Sequence, residues 1–482
     1  MEVLHISAEC YPAAKAGGLA DVVGTLPKYL TASGSRSAVI IPKYHTPWIL
    51  QQELEFDHAG VINLGKLTIP FAIEKVIGDP LGFPLYLANI PGKFDRLGIY
   101  ADPGGWYYPD DVERFLCFQQ AALNWVLSLK KRPKLLHCHD HHTGLVPFMV
   151  QFAKDFELLK NIPTVFTIHN AEYDGAFGWE RENLLPVFEE QARGILDWNQ
   201  RINPLITGIK TAWRITTVSP NYMEELKLQD GGLGWLLRHE SEKTTGVLNG
   251  IDVDVWDPAT DPFLTYRFEE DVTDFKAASK GVLYQRFNLQ RELPILTFIG
   301  RLVREKGGDL LPDLFSRLLH AGLPMNYLVL GTGEPQLHEA FQSLAYHHPG
   351  YFDCALEYNE GLAHQLYAGS DFLIMPSRVE PCGLNQMYAM RYGTIPVVRS
   401  VGGLKDSVPD LAEDPDGGLG IRFDEFSLES AEVALRRASD LFQDKDRLQS
   451  VRERVMKADY SWERSAVAYA QLYNDLFDLI KM

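Results

Sequence analysis

Apolar and polar positions alternate along the chain in two rhythms. Short, nearly continuous apolar runs occur at VLHIS (3–7), SAVIIP (37–42), KLLHCHD (134–140), PTVFTIHN (163–170) and WRITTVS (213–219). Runs of this length, rich in β-branched residues, predict strands buried on both faces. Between them lie longer stretches with apolar residues three and four apart. In 112–129, Phe115, Phe118, Ala122, Trp125, Val126 and Leu129 mark one face of a helix. Strand, helix, strand in this order predicts a parallel sheet with crossover helices. The rhythm restarts at PILTFIG (294–300) and continues through NYLVLGTG (326–333), FLIMPS (372–377) and TIPVVRS (394–400), with a helix predicted over 334–346. The reading is α/β, with two tandem Rossmann-like domains facing a central cleft. The break falls near VLNGIDVDVWDP (247–258), where apolar runs thin out. Expected boundaries are 1–250 and 251–460, followed by a helix over 461–482.

Composition narrows the functional classes. The 482 residues are too many for one ordinary domain, and 46% hydrophobic content supports large cores. A formal charge of −18 argues against nucleic acid and anionic membrane surfaces as partners. No apolar run approaches the ~18 residues of a membrane span. The opening MEVLHISAECYP reads as a strand and has no leader-like pattern. Five scattered cysteines with no CxxC pair read as reduced thiols, so the expected location is cytoplasmic.

Open parallel sheets bind ligands beyond the carboxyl ends of their strands, which directs attention to the loops there. After the first strand, Lys15, Gly17 and Gly18 precede a helical spacing of Leu19, Val22, Val23 and Leu26. A helix N-terminus with glycines and a lysine suits phosphate; an ordinary strand-to-helix turn is the alternative. GRLVREKGGDLL (300–311) places Arg301 and Lys306 five apart, as a pair for a diphosphate or as a solvated turn. Glu380 follows a buried strand, and Cys382, Gly383 and Leu384 are expected to start a helix. That carboxylate suits a sugar, or else caps the helix. His137 and His139 alternate on one strand, so a metal site is geometrically open. The reading nevertheless assigns no metal and no cofactor, and zinc titration is its test. An NAD enzyme would need a GxGxxG fingerprint, which this chain lacks.

Taken together, KAGGL, HCHDHHTGL, TIHNAEYDGAF, TTVSPNYMEEL, VLNGIDVDVWDP, GRLVREKGG and EPCGLNQMYAMRYGTIPVVRSVGGLKD resemble the bacterial glycogen synthase and starch synthase family along almost the whole chain. The resemblance implies a GT-B, retaining, metal-independent glucosyltransferase. Its donor would be ADP-glucose and its acceptor the non-reducing end of an α-1,4-glucan. It implies that Lys15 and Gly18 approach the donor phosphates and that Arg301 and Lys306 hold the diphosphate. His169, Asn170 and Asn249 would line the sugar pocket, with Glu380 beside the glucose. Cys382, Gly383 and Leu384 would surround its hydroxyls and the distal phosphate. Tyr358 would stack on the base, while Tyr108 and Asp140 would lie on the acceptor side. The final helix would cross back to the first domain. Asn385, a donor-binding position, stands where the family often has Thr, and its amide would donate to the donor phosphate at a different reach; His141 stands where the family often has Trp. Other readings are a related transferase with another nucleotide-sugar donor or a small-sugar acceptor, and a glucan-binding protein without catalysis.

Overall fold

The computed structural model describes residues 2–102 and 106–481; Pro103, Gly104 and Gly105 of the YADPGGWYY stretch lie outside them. The strands are, in chain order, β1 (Val3–Ile6), β2 (Ser37–Pro42), β3 (Leu54–Leu64), β4 (Leu67–Val76), β5 (Leu85–Asn89), β6 (Leu135–His139), β7 (Thr164–Ile168), β8 (Asp197–Trp198), β9 (Arg201–Ile202), β10 (Arg214–Thr217), β11 (Thr244–Gly246), β12 (Ile295–Ile299), β13 (Asn326–Leu330), β14 (Phe352–Ala355), β15 (Phe372–Met375), β16 (Ile395–Arg399) and β17 (Ile421–Phe423).

Two compact units emerge. One comprises the chain up to Val218, Met223–Val247 and the residues from Trp462 on; the other comprises Ser219–Tyr222 and Leu248–Ser461. Within the first, nine strands run in the order β11-β10-β7-β6-β1-β2-β5-β4-β3. All neighbours are parallel except β4 with β5 and β3 with β4. Strands β1, β2, β6 and β7 are buried throughout, as their continuous apolar runs require. The β3–β4 hairpin differs: it alternates buried and exposed positions and turns at Gly65, whose φ is +61°. It lies at the sheet edge.

Strand order reverses around β1, which sits between β2 and β6. Such a reversal opens a crevice at the strands' carboxyl ends. Helix Gly18–Ala32 follows β1 and buries Leu19, Val22, Val23, Leu26 and Leu30. Its inner face packs with Trp462, Tyr469, Tyr473 and Leu476 of helix Trp462–Lys481, so the C-terminal helix completes the first unit's core.

The second unit has six parallel strands in the order β14-β13-β12-β15-β16-β17. Its reversal lies between β12 and β15. The segment entering this unit and the one leaving it pair, with the Ile251 N–H donating to the Tyr460 carbonyl at 2.8 Å. Among the described residues no helix is long and apolar enough to cross a membrane.

Candidate active site

In the first unit the chemistry-bearing residues cluster past the ends of β1, β6 and β7. Glu9 was not anticipated from the sequence, yet it organises the first loop. Its Oε2 accepts from the Ala16 and Gly17 N–H groups at 2.5 and 2.9 Å, and its Oε1 accepts from the Tyr100 hydroxyl at 2.6 Å. Burial raises the Glu9 pKa, against the pull of these donors. The Gly17 amide is therefore satisfied internally. The open element is the surface of Gly17 and Gly18, where an added Cβ would meet nothing within 4 Å. Lys15 lies 2.7 Å from Asp21 in the first turn of the following helix and is 40% exposed.

Asp140 stands at the end of β6 with φ +55° and ψ 178°, a backbone conformation that side chains rarely adopt. Its Oδ1 accepts from the His169 N–H at 2.7 Å and the Asn170 N–H at 3.3 Å, tying the ends of β6 and β7 together. Burial pushes its carboxyl pKa up to about 7. His169 is buried and its pKa is depressed to about 3 by desolvation, so its ring is neutral. Tyr108 lies 4.6 Å from the Arg96 guanidinium and 4.7 Å from that of Arg114, ring centroid to charge centre, and is partly buried.

His5, His137 and His139 offer ligand atoms all within 4.8 Å of one another. Five of their six ring nitrogens already make hydrogen bonds inside the protein. His137 bonds the hydroxyls of Tyr473 and Thr167, His5 Nδ1 bonds His139 Nε2, and His139 Nδ1 bonds His169. A metal would have to displace these contacts.

In the second unit the loop after β12 lies against the loop after β15. Arg378 fastens them: its guanidinium donates to both Asp309 oxygens at 2.6 and 2.9 Å and to the Arg304 carbonyl at 2.6 Å. Gly307, at φ +72°, approaches so closely that a Cβ would stand 2.2 Å from the Pro376 carbonyl oxygen. The outcome is Lys306 Nζ 2.7 Å from Glu380 Oε1, with Ser377 donating to Glu380 Oε2 at 2.9 Å. Glu380 is 6% exposed and binds Lys306 instead of capping a helix. Arg301 is exposed and only loosely paired, 3.4 Å from Glu305.

One expectation for the EPCGLNQ stretch needs correction. The helix begins at Asn385, not at Cys382–Leu384, because Gly383 takes φ +73° and breaks the helical path. The Asn385 amide donates to the Ile299 carbonyl at 2.7 Å, so it braces the end of β12. The VGGLKD glycines have a steric role. A Cβ on Gly402 would lie 2.0 Å from the Glu380 carbonyl oxygen, and one on Gly403 2.2 Å from that of Cys382. Cys382 is buried, and its thiol pKa is raised by desolvation. Asn249 is buried and its Oδ1 has no partner among the described residues. Tyr358 is 78% exposed, its ring open to solvent.

Comparison with known proteins agrees with this geometry. The starch synthase catalytic domain matches residues 2–239, and the glycosyl transferases group 1 domain matches residues 283–436. The chain is 44% identical to a glycogen synthase of Flavobacterium johnsoniae, over 98% of this chain and 99% of the relative. It is 38% identical to a glycogen synthase of Anaeromyxobacter sp. (strain Fw109-5), over 99% of each. The catalytic domain of starch synthase IV from Arabidopsis thaliana, solved bound to ADP and acarbose, superposes with a TM-score of 0.88 at 32% identity, over 100% of this chain and 99% of that one. A sucrose-phosphate synthase from Thermosynechococcus elongatus, at 19% identity and a TM-score of 0.60, shares the fold. Two Rossmann-like units of the GT-B kind and full-length likeness to these synthases lead to one conclusion: the chain is a glycosyltransferase and belongs to the glycogen synthase and starch synthase family.

Proposed function

We propose that this enzyme transfers glucose from ADP-glucose to the non-reducing end of an α-1,4-glucan, with retention and without a metal ion. The observation that carries the reading is the Lys306–Glu380 pair at the strand reversal of the second sheet. An ammonium has three N–H donors. Glu380 takes one, aims the group, and leaves the others for the oxygens of a departing diphosphate. Arg301 adds an exposed guanidinium from the same loop. Fixed cations at the leaving group do the work that other transferases give to Mg²⁺.

On the same reading, Lys15 and the open backbone at Gly17 and Gly18 approach the donor phosphates. His169, Asn170 and the unpartnered Asn249 Oδ1 face the sugar. Glu380 and the Cys382–Leu384 backbone hold its hydroxyls, while Asn385 supports that loop from behind. Tyr358 offers its exposed ring to the base, and Tyr108 and Asp140 serve the acceptor. The acceptor hydroxyl attacks from the face the leaving group vacates, so no glucosyl-enzyme ester forms. Five free cysteines support a reducing, cytoplasmic setting.

The test is a donor panel of ADP-, UDP- and GDP-glucose with glycogen and EDTA. Expected are ADP release and lengthened glucan, fastest with ADP-glucose. Transfer that requires an added divalent ion, or a discrete disaccharide product, would overturn the reading. Gly18→Ala gives a finer check. The added methyl meets open space, so the melting temperature should hold. Close approach of phosphate would be blocked, and kcat/KM for the nucleotide sugar should fall about tenfold or more. An unchanged kcat/KM would remove the phosphate from that loop.

A further inference from the structure

The first unit buries a line of imidazoles of which the proposed transfer uses only one end. His5 on β1 and His139 on β6 meet through Nδ1 and Nε2 at 3.1 Å, their rings only 16° from coplanar. His139 continues through Nδ1 to His169 Nε2 at 3.0 Å. His5 and His139 have no exposed surface, and His5 Nε2 has no partner among the described residues. His5 lies on β1, His139 on β6 and His169 just past the end of β7, with contacts spanning 134 and 30 residues, so the line is a product of the fold.

We propose that His5 and His139 are positioning residues that hold His169 in the tautomer with its proton on Nδ1, so that its ring presents an N–H donor to an oxygen of the bound sugar. This rests on the reading of His169 as a sugar contact. Desolvation keeps all three rings neutral, so each carries one N–H. Each nitrogen–nitrogen contact needs one proton, and only two arrangements satisfy both. In one, His169 Nε2–H donates to His139, His139 Nε2–H donates to His5, and His5 Nε2–H is left buried with no acceptor. In the other, every donation runs the opposite way: His5 Nδ1–H to His139, and His139 Nδ1–H to His169 Nε2. The buried remainder is then a bare lone pair on His5, and the third proton sits on His169 Nδ1. Orphaned buried N–H groups are the rarer defect, which favours the second arrangement. The other flanking imidazole, His137, has both nitrogens engaged by hydroxyls of Tyr473 and Thr167 and gives His5 no acceptor.

The test uses the full chain labelled with ¹⁵N-histidine, with His169 assigned by the resonances lost in His169→Ala. Nitrogen shifts distinguish protonated from bare ring nitrogens. The expected native state has His169 protonated on Nδ1 and bare on Nε2. His5→Phe removes the donor at the head of the line; the His169 tautomer should become mixed or reversed, and kcat should fall about tenfold with little change in KM. His5→Asn, whose amide nitrogen stands near the place of Nδ1, should restore both. A native His169 protonated on Nε2 would overturn the proposal. So would a folded His5→Phe chain with unchanged tautomer and kcat, or stoichiometric zinc held by the native chain and lost in His5→Phe. The sugar-contact reading fails separately, if His169→Ala keeps native kcat; the tautomer spectra stand whichever way that falls.

Discussion

Replacing Lys306 with alanine should lower kcat by roughly 10²–10³, with a much smaller change in KM for the nucleotide sugar. As the glycosidic bond stretches, negative charge gathers on the diphosphate. A cation already fixed in place stabilises that charge without reorganising. Lys306 is fixed from both sides: Glu380 holds its ammonium at 2.7 Å, and Gly307 seats its loop against Pro376. The substitution also strands a buried carboxylate, which will lower stability by itself. Lys306→Ala/Glu380→Gln separates the two effects, because the amide carries no charge to strand. The double variant should recover melting temperature relative to Lys306→Ala and recover no activity. A Lys306→Ala enzyme with near-native kcat would remove the charge role; recovery of kcat in the double variant would reduce the lysine to a structural partner.

The parts of this site legible in the sequence are those built from local pattern. Continuous apolar runs mark β1, β6, β7, β12 and β15, and functional side chains sit where those runs stop. Lys15, Gly18, Arg301, Lys306 and Glu380 could be singled out because cations and glycines after a buried strand have few ordinary uses. What stayed hidden was the pairing between distant segments. Glu9 looks like a lone acid after β1, and its partner Tyr100 is 91 residues away. The Asn385 amide also braces β12 through the Ile299 carbonyl, 2.7 Å away and 86 residues distant in sequence. VGGLKD carries resemblance but no visible mechanics; the reason for its glycines is the backbone of Glu380 and Cys382 pressed against them. The hairpin β3–β4 escaped because its alternation is broken where the register shifts between Phe56 and His58. HCHDHH draws the eye as a metal motif, whereas His137 and His139 spend their ring nitrogens on neighbours inside the fold.

That same histidine density makes the first unit sensitive to acid. His5, His137, His139, His141, His142 and His169 are all held below the usual imidazole range by burial, with His5 and His169 at about 3 and His141 at about 4. Above pH ~6.5 folded and unfolded chains are alike neutral at these sites, and nothing is lost. Below it the unfolded chain takes up protons that the folded one refuses, so stability falls with pH. Each such histidine therefore lowers stability as the pH falls through the unfolded imidazole range. Asp140 works in the opposite direction. Its folded pKa of about 7 lies above the unfolded value, so the folded state gains a proton first and acidification returns about 2 kcal/mol. Glu9, raised for the same reason, adds to that side. Six imidazoles stand against these two carboxylates, so acid lowers the stability of the first unit on balance. Hydrogen exchange across this range should therefore show the first unit opening while the second keeps its protection. His142 packs on Phe115 and Tyr100, with ring centroids 4.5 and 4.7 Å away, and its Nδ1 has no partner. His142→Phe fits that aromatic setting and should recover part of the loss. Equal protection of both units down to pH ~5.5 would mean that these imidazoles take up protons in the folded state, and the neutral ring line from His5 to His169 would go with them.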